Sequence, residues 1–302
     1  MSLKYQAREN RNGPFMEITG YEGEIRLLKI PSEIQGLPVQ SIGRHAFDGR
    51  KDLVEIYLPE SIRSLGSFCF YNTRSLEKIS LYDSVEDYYD GAIRQCTGLR
   101  EIRIIFREKD NYSLLKSMLG DNEKMLHFQL DLPEGEMRLT FPPYYDSYKE
   151  DTMARAIHHS LNGAGFSYRE CVMRRSIDFR TYDRCFSRVI YDNYEAAIDI
   201  ALDRLMYPVQ LPSQAAGIYE RYLVETSDQV LPFLIGRGDT AGIRFLADRR
   251  MIPREELSEA LRLASEGKRT EICALLMEYQ NLYFGLHGGA ADALDLFSLD
   301  DL

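Results

Sequence analysis

The residue types able to do chemistry are present in this chain, but not at the spacings that chemistry requires. His158-His159 is the only adjacent histidine pair. The surrounding pattern predicts a helix, on which neighbouring side chains diverge by about 100°, so the two rings do not meet on one metal ion. The five cysteines, Cys69, Cys96, Cys171, Cys185 and Cys273, are widely separated and never form a C-x-x-C pair; they read as reduced, mostly buried thiols. Neither H-E-x-x-H nor G-x-x-x-x-G-K-S/T occurs, and Asn162-Gly163-Ala164-Gly165 reads as a helix stop, because no strand precedes it and no later glycine completes a dinucleotide-binding turn. Arg169, Arg174, Arg175, Arg180, Arg184 and Arg188 are interleaved with Glu170, Asp178 and Asp183, the mixture of a solvated helix face. Arg237-Gly238-Asp239 falls between two predicted helices, where Gly ends one and Asp caps the next. The sequence therefore predicts no catalytic residue, no cofactor and no metal. One alternative stays open: residues about 112–190 form a divergent enzyme or ligand-binding domain in which His158, His159, Asp178, Asp183 and Arg180 converge only through folding.

Composition narrows the partners. With 44% hydrophobic and 28% charged residues, the 302-residue chain is neither disordered nor fibrous, and it is long enough for more than one core. Its net charge of −10 is carried by the later part: residues 1–110 hold 16 Lys and Arg against 17 Asp and Glu, whereas residues 111–302 hold 21 against 30. Such a chain repels phosphate, which speaks against nucleic acid as a partner. The first residues, MSLKYQARENRNGPF, contain no apolar run of the kind a secretory signal needs, and no window approaches the ~20 apolar residues of a membrane span. A cytoplasmic protein without a membrane partner is the expectation.

The elements that position these side chains are organised by a repeat. Leu53, Leu76 and Leu99 stand 23 residues apart, followed in phase by Ile56 and Leu58, Ile79 and Leu81, and Ile102 and Ile104. A short strand recurring at that period means a solenoid, in which each unit is too small to bury its apolar face without stacked neighbours. Ile25–Asp52 is an earlier unit of 28 residues, the extra five falling at Gln35 to Val39 around Gly36 and Pro38. Met16–Ile25 supplies a first strand that shields the end of the stack. Alternation along each strand turns Lys29, Glu55, Tyr57, Lys78, Ser80, Glu101 and Arg103 outward, and this face is the candidate binding surface for a protein partner.

The order of a leucine-initiated strand, Ile30-Pro31 or Leu58-Pro59, Ser41-Ile42-Gly43 or Ser64-Leu65-Gly66, then Ala46-Phe47 or Cys69-Phe70, resembles the bacterial BspA-like leucine-rich repeats over residues 16–106. The resemblance implies a curved solenoid with one narrow parallel sheet, Pro ending each strand, buried Phe on the opposite side, and a role in adhesion or protein recognition. The unit after Leu76 departs from the pattern, with Tyr82 for Pro, Tyr88-Tyr89 for Leu-Gly and Gly91 to Ile93 for Phe-Cys-Phe. After Ile104 the next unit is expected not to complete, the charged run Arg107 to Asn111 ending the solenoid near residue 110.

Beyond it, Tyr112–Leu119 suits one amphipathic helix stopped by Gly120, and Met125–Leu132 with Met137–Phe141 alternates as a β-hairpin that covers the open sheet end. From Asp151 the period lengthens to about 3.6 and helices are expected throughout. Ile198-x4-Asp203-Arg204-x-Met206-x-Pro208 recurs 45 residues later as Ile243-x4-Asp248-Arg249-x-Met251-x-Pro253, and Gly238, Ile243 and Leu246 match Gly267, Ile272 and Leu275 at a spacing of 29. ALRLASEGKRTEICALLMEYQ resembles the helical part of an ankyrin repeat, without the Thr-Pro-Leu-His signature. The expected fold is α+β: a leucine-rich-repeat solenoid with an N-terminal cap over 1–110, a connecting helix and hairpin over 111–145, an α-helical ankyrin-like domain over 146–286, and an acidic tail over 287–302. Apolar residues such as Leu115, Met118, Phe128 and Phe141 fill the connection, which predicts that solenoid and helices pack as one body. The function expected is that of a non-catalytic protein-interaction scaffold.

Overall fold

The computed structural model describes residues 2–107, 110–151 and 156–285, with the backbone alone for residues 146–161. The chain divides into two compact units, residues 1–211 and 212–302.

The first unit is built on stacked coils, each of which contributes strands to two sheets. In the leucine sheet, β3 (Leu27–Lys29), β6 (Glu55–Tyr57), β8 (Lys78–Tyr82) and β10 (Glu101–Ile105) run parallel in register, Leu28 beside Ile56, Ile56 beside Ile79 and Ile79 beside Ile102. Strand length follows the prolines. β3 and β6 stop just before Ile30-Pro31 and Leu58-Pro59, because proline has no N–H for the ladder. β8 and β10, with Tyr82 and Ile105 in place of that turn, run on to five residues. Leu53, Leu76 and Leu99 pack inside the coils and are buried. The sequence leads to one parallel sheet, and the structure adds a second. The Ser-Ile-Gly segments form the serine sheet, in which β5 (Leu37–Ile42), β7 (Ser64–Leu65) and β9 (Asp87–Tyr88) are parallel neighbours. Its first members are β1 (Ser2–Asn10) and β2 (Gly13–Glu22), an antiparallel hairpin whose second strand pairs with β5. The five-residue insertion is a miniature hairpin, β4 (Glu33–Ile34) turning back onto Leu37-Pro38 through Gln35 and Gly36, both at positive φ.

The third side of each coil is held by its own ladder. Phe47 N–H donates to the Cys69 carbonyl, Phe70 N–H to Ala92, and Phe68 N–H to Asp90. Phe47 and Phe70 stack with centroids 5.5 Å apart. One position per coil turns left-handed, at His45, Phe68 and Gly91, and a second at Gly49, Asn72 and Gln95. Gly91 is thus no decay of the pattern. A side chain there would drive into the Phe68 ring, which itself stacks on His45.

The stack does not end near residue 110. α1 (Ser113–Asp121), which carries through Gly120 and one residue further, stands where the Phe segment stood, and β11 (Leu126–Leu132) returns to the leucine sheet parallel to β10, with Phe128 beside Ile102 and Leu130 beside Ile104. β12 (Gly135–Phe141) then closes that sheet as its antiparallel last strand. The expected hairpin exists, but its first strand is the missing successor of β10. A helix lengthens this repeat to 26 residues, from Ile102 to Phe128, and so breaks the 23-residue period of the sequence.

A second correction concerns residues 145–162, where β13 (Tyr145–Asp151) and β14 (Ala156–Asn162) form an antiparallel pair in place of a helix. Ile157 and Leu161 fit either period over so short a segment, and pairing with a neighbour decides such cases. α2 (Gly165–Glu170), α3 (Phe179–Asp192) and α4 (Tyr194–Met206) complete the first unit and pack on the hairpin: the Tyr182 hydroxyl donates to the Thr140 carbonyl at 2.6 Å and the Thr140 hydroxyl to Asp203 at 2.7 Å. The boundary between units therefore falls at Leu211-Pro212, after these helices.

Among the described residues, the second unit contains α5 (Ser213–Glu225), α6 (Ser227–Arg237), α7 (Thr240–Asp248), a single 3-10 turn at Arg254–Glu256, α8 (Leu257–Glu266) and α9 (Thr270–Phe284). The 29-residue spacing is that of two helical hairpins, α6 with α7 and α8 with α9. Arg237-Gly238-Asp239 is their punctuation: Gly238 ends α6 in the left-handed conformation and Asp239 caps α7 by accepting from Gly242 N–H. Arg269 donates to the Gly236 carbonyl and ties the two hairpin turns together. The acidic tail expected over 287–302 lies outside the described residues.

Candidate functional site

The outward face of the leucine sheet carries two rows of side chains, set by register. One runs Glu55, Lys78, Glu101, His127; the other Lys29, Tyr57, Ser80, Arg103, Gln129. Strands lie about 4.8 Å apart, so opposite charges in adjacent strands meet. Lys78 Nζ reaches Glu101 Oε2 at 2.9 Å, an interaction that raises the lysine pKa. The Tyr57 hydroxyl donates to Glu55 Oε2 at 3.0 Å, which raises the tyrosine pKa, and Lys29 Nζ sits 5.4 Å from the centre of the Tyr57 ring. Arg103 Nε donates to Asp131 Oδ2 at 2.7 Å.

Of the seven expected residues, Lys29 and Glu101 are exposed and Glu55, Tyr57, Lys78 and Arg103 are half-buried. Ser80 departs from expectation. It faces outward in register, yet it is only 5% exposed, because its short side chain lies between Tyr57 and Arg103, and its hydroxyl has no partner among the described residues. Asp131, Gln129 and His127 were missed because β11 was not recognised as a member of the stack. The pairing of Phe128 and Leu130 with Ile102 and Ile104, 26 residues earlier, is the signal that reveals them. At β12 the face meets α4: His127 Nδ1 lies 2.8 Å from the Thr140 hydroxyl and its Nε2 lies 3.8 Å from Asp199.

Two residues of the alternative reading, Asp183 and Asp178, have structural work. Asp183 forms a buried ion pair with Arg204, whose Nε donates at 2.8 Å and whose guanidinium lies 4.8 Å from the centre of the Phe179 ring. Asp178 caps α3, accepting from Thr181 N–H, and this hydrogen bonding lowers its pKa. Arg180 is exposed, and for His158 and His159 only their place on β14 is described. Arg169, assigned from sequence to a solvated face, is buried: it donates to the carbonyls of Pro142, Gly165, Asn122 and Lys124, and burial pushes its pKa down to about 10. Cys69 and Cys96 are buried small side chains within the coils, and desolvation raises both thiols, Cys96 to about 12. Among the described residues no group of three His, Cys, Asp or Glu is placed to hold a metal ion, and no helix is long and apolar enough to cross a membrane. A groove of about 450 Å³ runs over the serine sheet past Gln40, Arg44, Arg63, Ser64 and Tyr89, with Arg63 committed to backbone carbonyls of Glu60 and Ser84.

The fold and its face define a leucine-rich-repeat solenoid joined to helices. Residues 22–119 match the family described as BspA type leucine rich repeat region, in 6 copies. Similar solved structures include a leucine rich cell surface protein from Faecalibacterium prausnitzii, at 25% identity over 34% of this chain and 33% of that one, TM-score 0.29. They also include leucine-rich repeat proteins from Bacteroides ovatus, at 25% identity over 34% and 30%, TM-score 0.29, and from Bacteroides capillosus, at 25% identity over 33% and 77%, TM-score 0.30. The chain thus spans about a third of the length of the first two. A comparison with curated proteins returns no match. The family match ends at residue 119, and the ankyrin-like reading of the later helices has no counterpart in these findings.

Proposed function

We propose that this chain is a non-catalytic scaffold that binds a protein partner through the outward face of the leucine sheet. The observation that supports it is the connected polar surface made by Lys29, Glu55, Tyr57, Lys78, Glu101 and Arg103 over four hydrogen-bonded strands. Tyr57 sits at its centre, held by Glu55 on one side and Lys29 on the other. Tyrosine and arginine are common interface anchors, and side chains already fixed by neighbours lose less entropy on binding. Mixed charge favours a partner whose own charges alternate, with an association rate that falls as salt rises.

The test is quantitative. A partner captured with the whole chain is purified and its affinity measured against variants. Tyr57→Ala is expected to weaken binding by roughly tenfold or more, the loss of about 1.4 kcal/mol or more that an anchor carries. Arg44→Ala, in the groove over the serine sheet, should leave affinity unchanged. Equal affinity for wild type, Tyr57→Ala and Arg103→Ala would overturn the assignment of this face.

A further inference from the structure

We propose that the groove over the serine sheet is a second ligand site, one that binds a neutral oligosaccharide. Its floor is set by strand register. Glu17 lies beside Ser41, Ser41 beside Ser64 and Ser64 beside Asp87, an outward row across β2, β5, β7 and β9. The alternating residues Ile18, Ile42 and Leu65 are buried beneath it. Short hydroxyl side chains at the centre and longer side chains at both ends make a trough. Strands spaced by about 4.8 Å carry this row over about 14 Å. The volume of about 450 Å³ falls among those of small-ligand sites, ~300–1,000 Å³.

The polar groups of the trough are held by neighbours and still keep a hydrogen-bonding function for a ligand. Glu17 Oε1 accepts from Gln6 and from Arg8, which leaves Oε2 as an acceptor. Gln40 Oε1 accepts from Asn10 Nδ2 at 3.2 Å, so the amide N–H groups of Gln40 remain as donors. Arg44 and Asp87 are exposed, and neither side chain has a partner among the described residues. The charges cancel, Glu17 being paired with Arg8 and Asp87 being offset by Arg44. An anionic ligand would meet both carboxylates, and a cationic one would meet Arg44 and Arg63. The complement of mixed donors and acceptors without net charge is the hydroxyl, which both donates and accepts, and a sugar presents hydroxyls in adjacent pairs. The wall supplies the other half of sugar recognition: Tyr89 lines the groove and is 51% exposed. The flat C–H face of a pyranose is weakly positive and rests on the negative face of an aromatic ring, while the hydroxyls on its edge reach the polar groups. Phe15 is a second, half-buried ring lining the groove from β2. Side chains fixed before binding lose less entropy when the ligand arrives.

The experiment uses the full-length chain on an array of neutral and anionic glycans, followed by calorimetric titration with maltotriose, cellotriose, tri-N-acetylchitotriose and any neutral glycan the array retains. A neutral oligosaccharide should bind with a Kd of about 1 mM or tighter, with little dependence on salt. Tyr89→Ala and Asp87→Ala, both at exposed positions, should each weaken it roughly tenfold or more without moving the thermal midpoint. Tyr57→Ala, on the leucine face, should leave it unchanged, which separates this site from the protein-binding face. Absence of binding by every neutral glycan, retention of anionic glycans alone, or an affinity that neither Tyr89→Ala nor Asp87→Ala changes would overturn the proposal.

Discussion

Replacing Asp121 by alanine tests how the coil stack is terminated. In each earlier coil the N–H groups at the Phe positions donate to carbonyls of the coil that follows: Phe68 to Asp90 and Phe70 to Ala92. Gly91 and Ile93 occupy the same places one coil on, where α1 takes over from a further Phe segment. Their N–H groups donate instead to Asp121, Gly91 to Oδ1 at 3.1 Å and Ile93 to Oδ2 at 3.0 Å, and the Tyr88 hydroxyl adds a third bond at 2.8 Å. The carboxylate stands in for two carbonyls of the Phe segment that α1 replaces. Hydrogen bonds to charged groups contribute about 1.5–3 kcal/mol each, and removing a partner leaves a buried donor unsatisfied. Three such bonds, partly relieved by water entering beside exposed Arg94, give an expected loss of roughly 3–5 kcal/mol for Asp121→Ala, a large share of the ~5–15 kcal/mol that holds a domain. Asp121→Asn keeps one acceptor but turns an amide NH₂ toward a backbone N–H, so most of the loss should remain. Urea unfolding with an unchanged m-value, and hydrogen exchange at Gly91 and Ile93, read the effect. A loss below about 1 kcal/mol, or unchanged protection of those two amides, would refute the capping argument.

Other perturbations probe the same unit. Arg169→Met should destabilise by roughly 3 kcal/mol in urea unfolding, because the carbonyls of Pro142, Gly165, Asn122 and Lys124 lose a common donor; a neutral result would mean that water replaces it. The Arg50 guanidinium, with the Ile25 N–H, lowers the Asp52 pKa from its ordinary 3.8. A depressed carboxyl stabilises the folded state above its unfolded value and loses that contribution as pH falls through the folded value. The thermal midpoint of wild type should therefore drop more steeply than that of Asp52→Asn below pH 3.8, and parallel curves would contradict the pairing.

What the sequence determined by itself was the part written in periods. Leu53, Leu76 and Leu99, with the isoleucines in phase behind them, specify a parallel stack, since a strand of three to five residues has no stability except against its neighbours. Pro31 and Pro59 set where strands stop, and the alternation around Pro133-Glu134-Gly135 marks a hairpin. Gly238 and Asp239 announced a helix end and a helix start. The outward residues Lys29, Glu55, Tyr57, Lys78, Glu101 and Arg103 were readable for the same reason, because side-chain direction in a strand has a period of two. Tertiary structure decided the rest. Ser64-Leu65 and Asp87-Tyr88 are too short to show any period and become strands only because stacking places them side by side. β11 joins the leucine sheet across an inserted helix, and β14 is a strand because β13 pairs with it. Ser80 faces outward in register and is still covered, by side chains on two other strands. Asp121 finds its donors about 30 residues back in the chain and Arg169 finds carbonyls on three different segments; a local pattern holds no information about such encounters, because the groups become neighbours only after the coils and helices have packed.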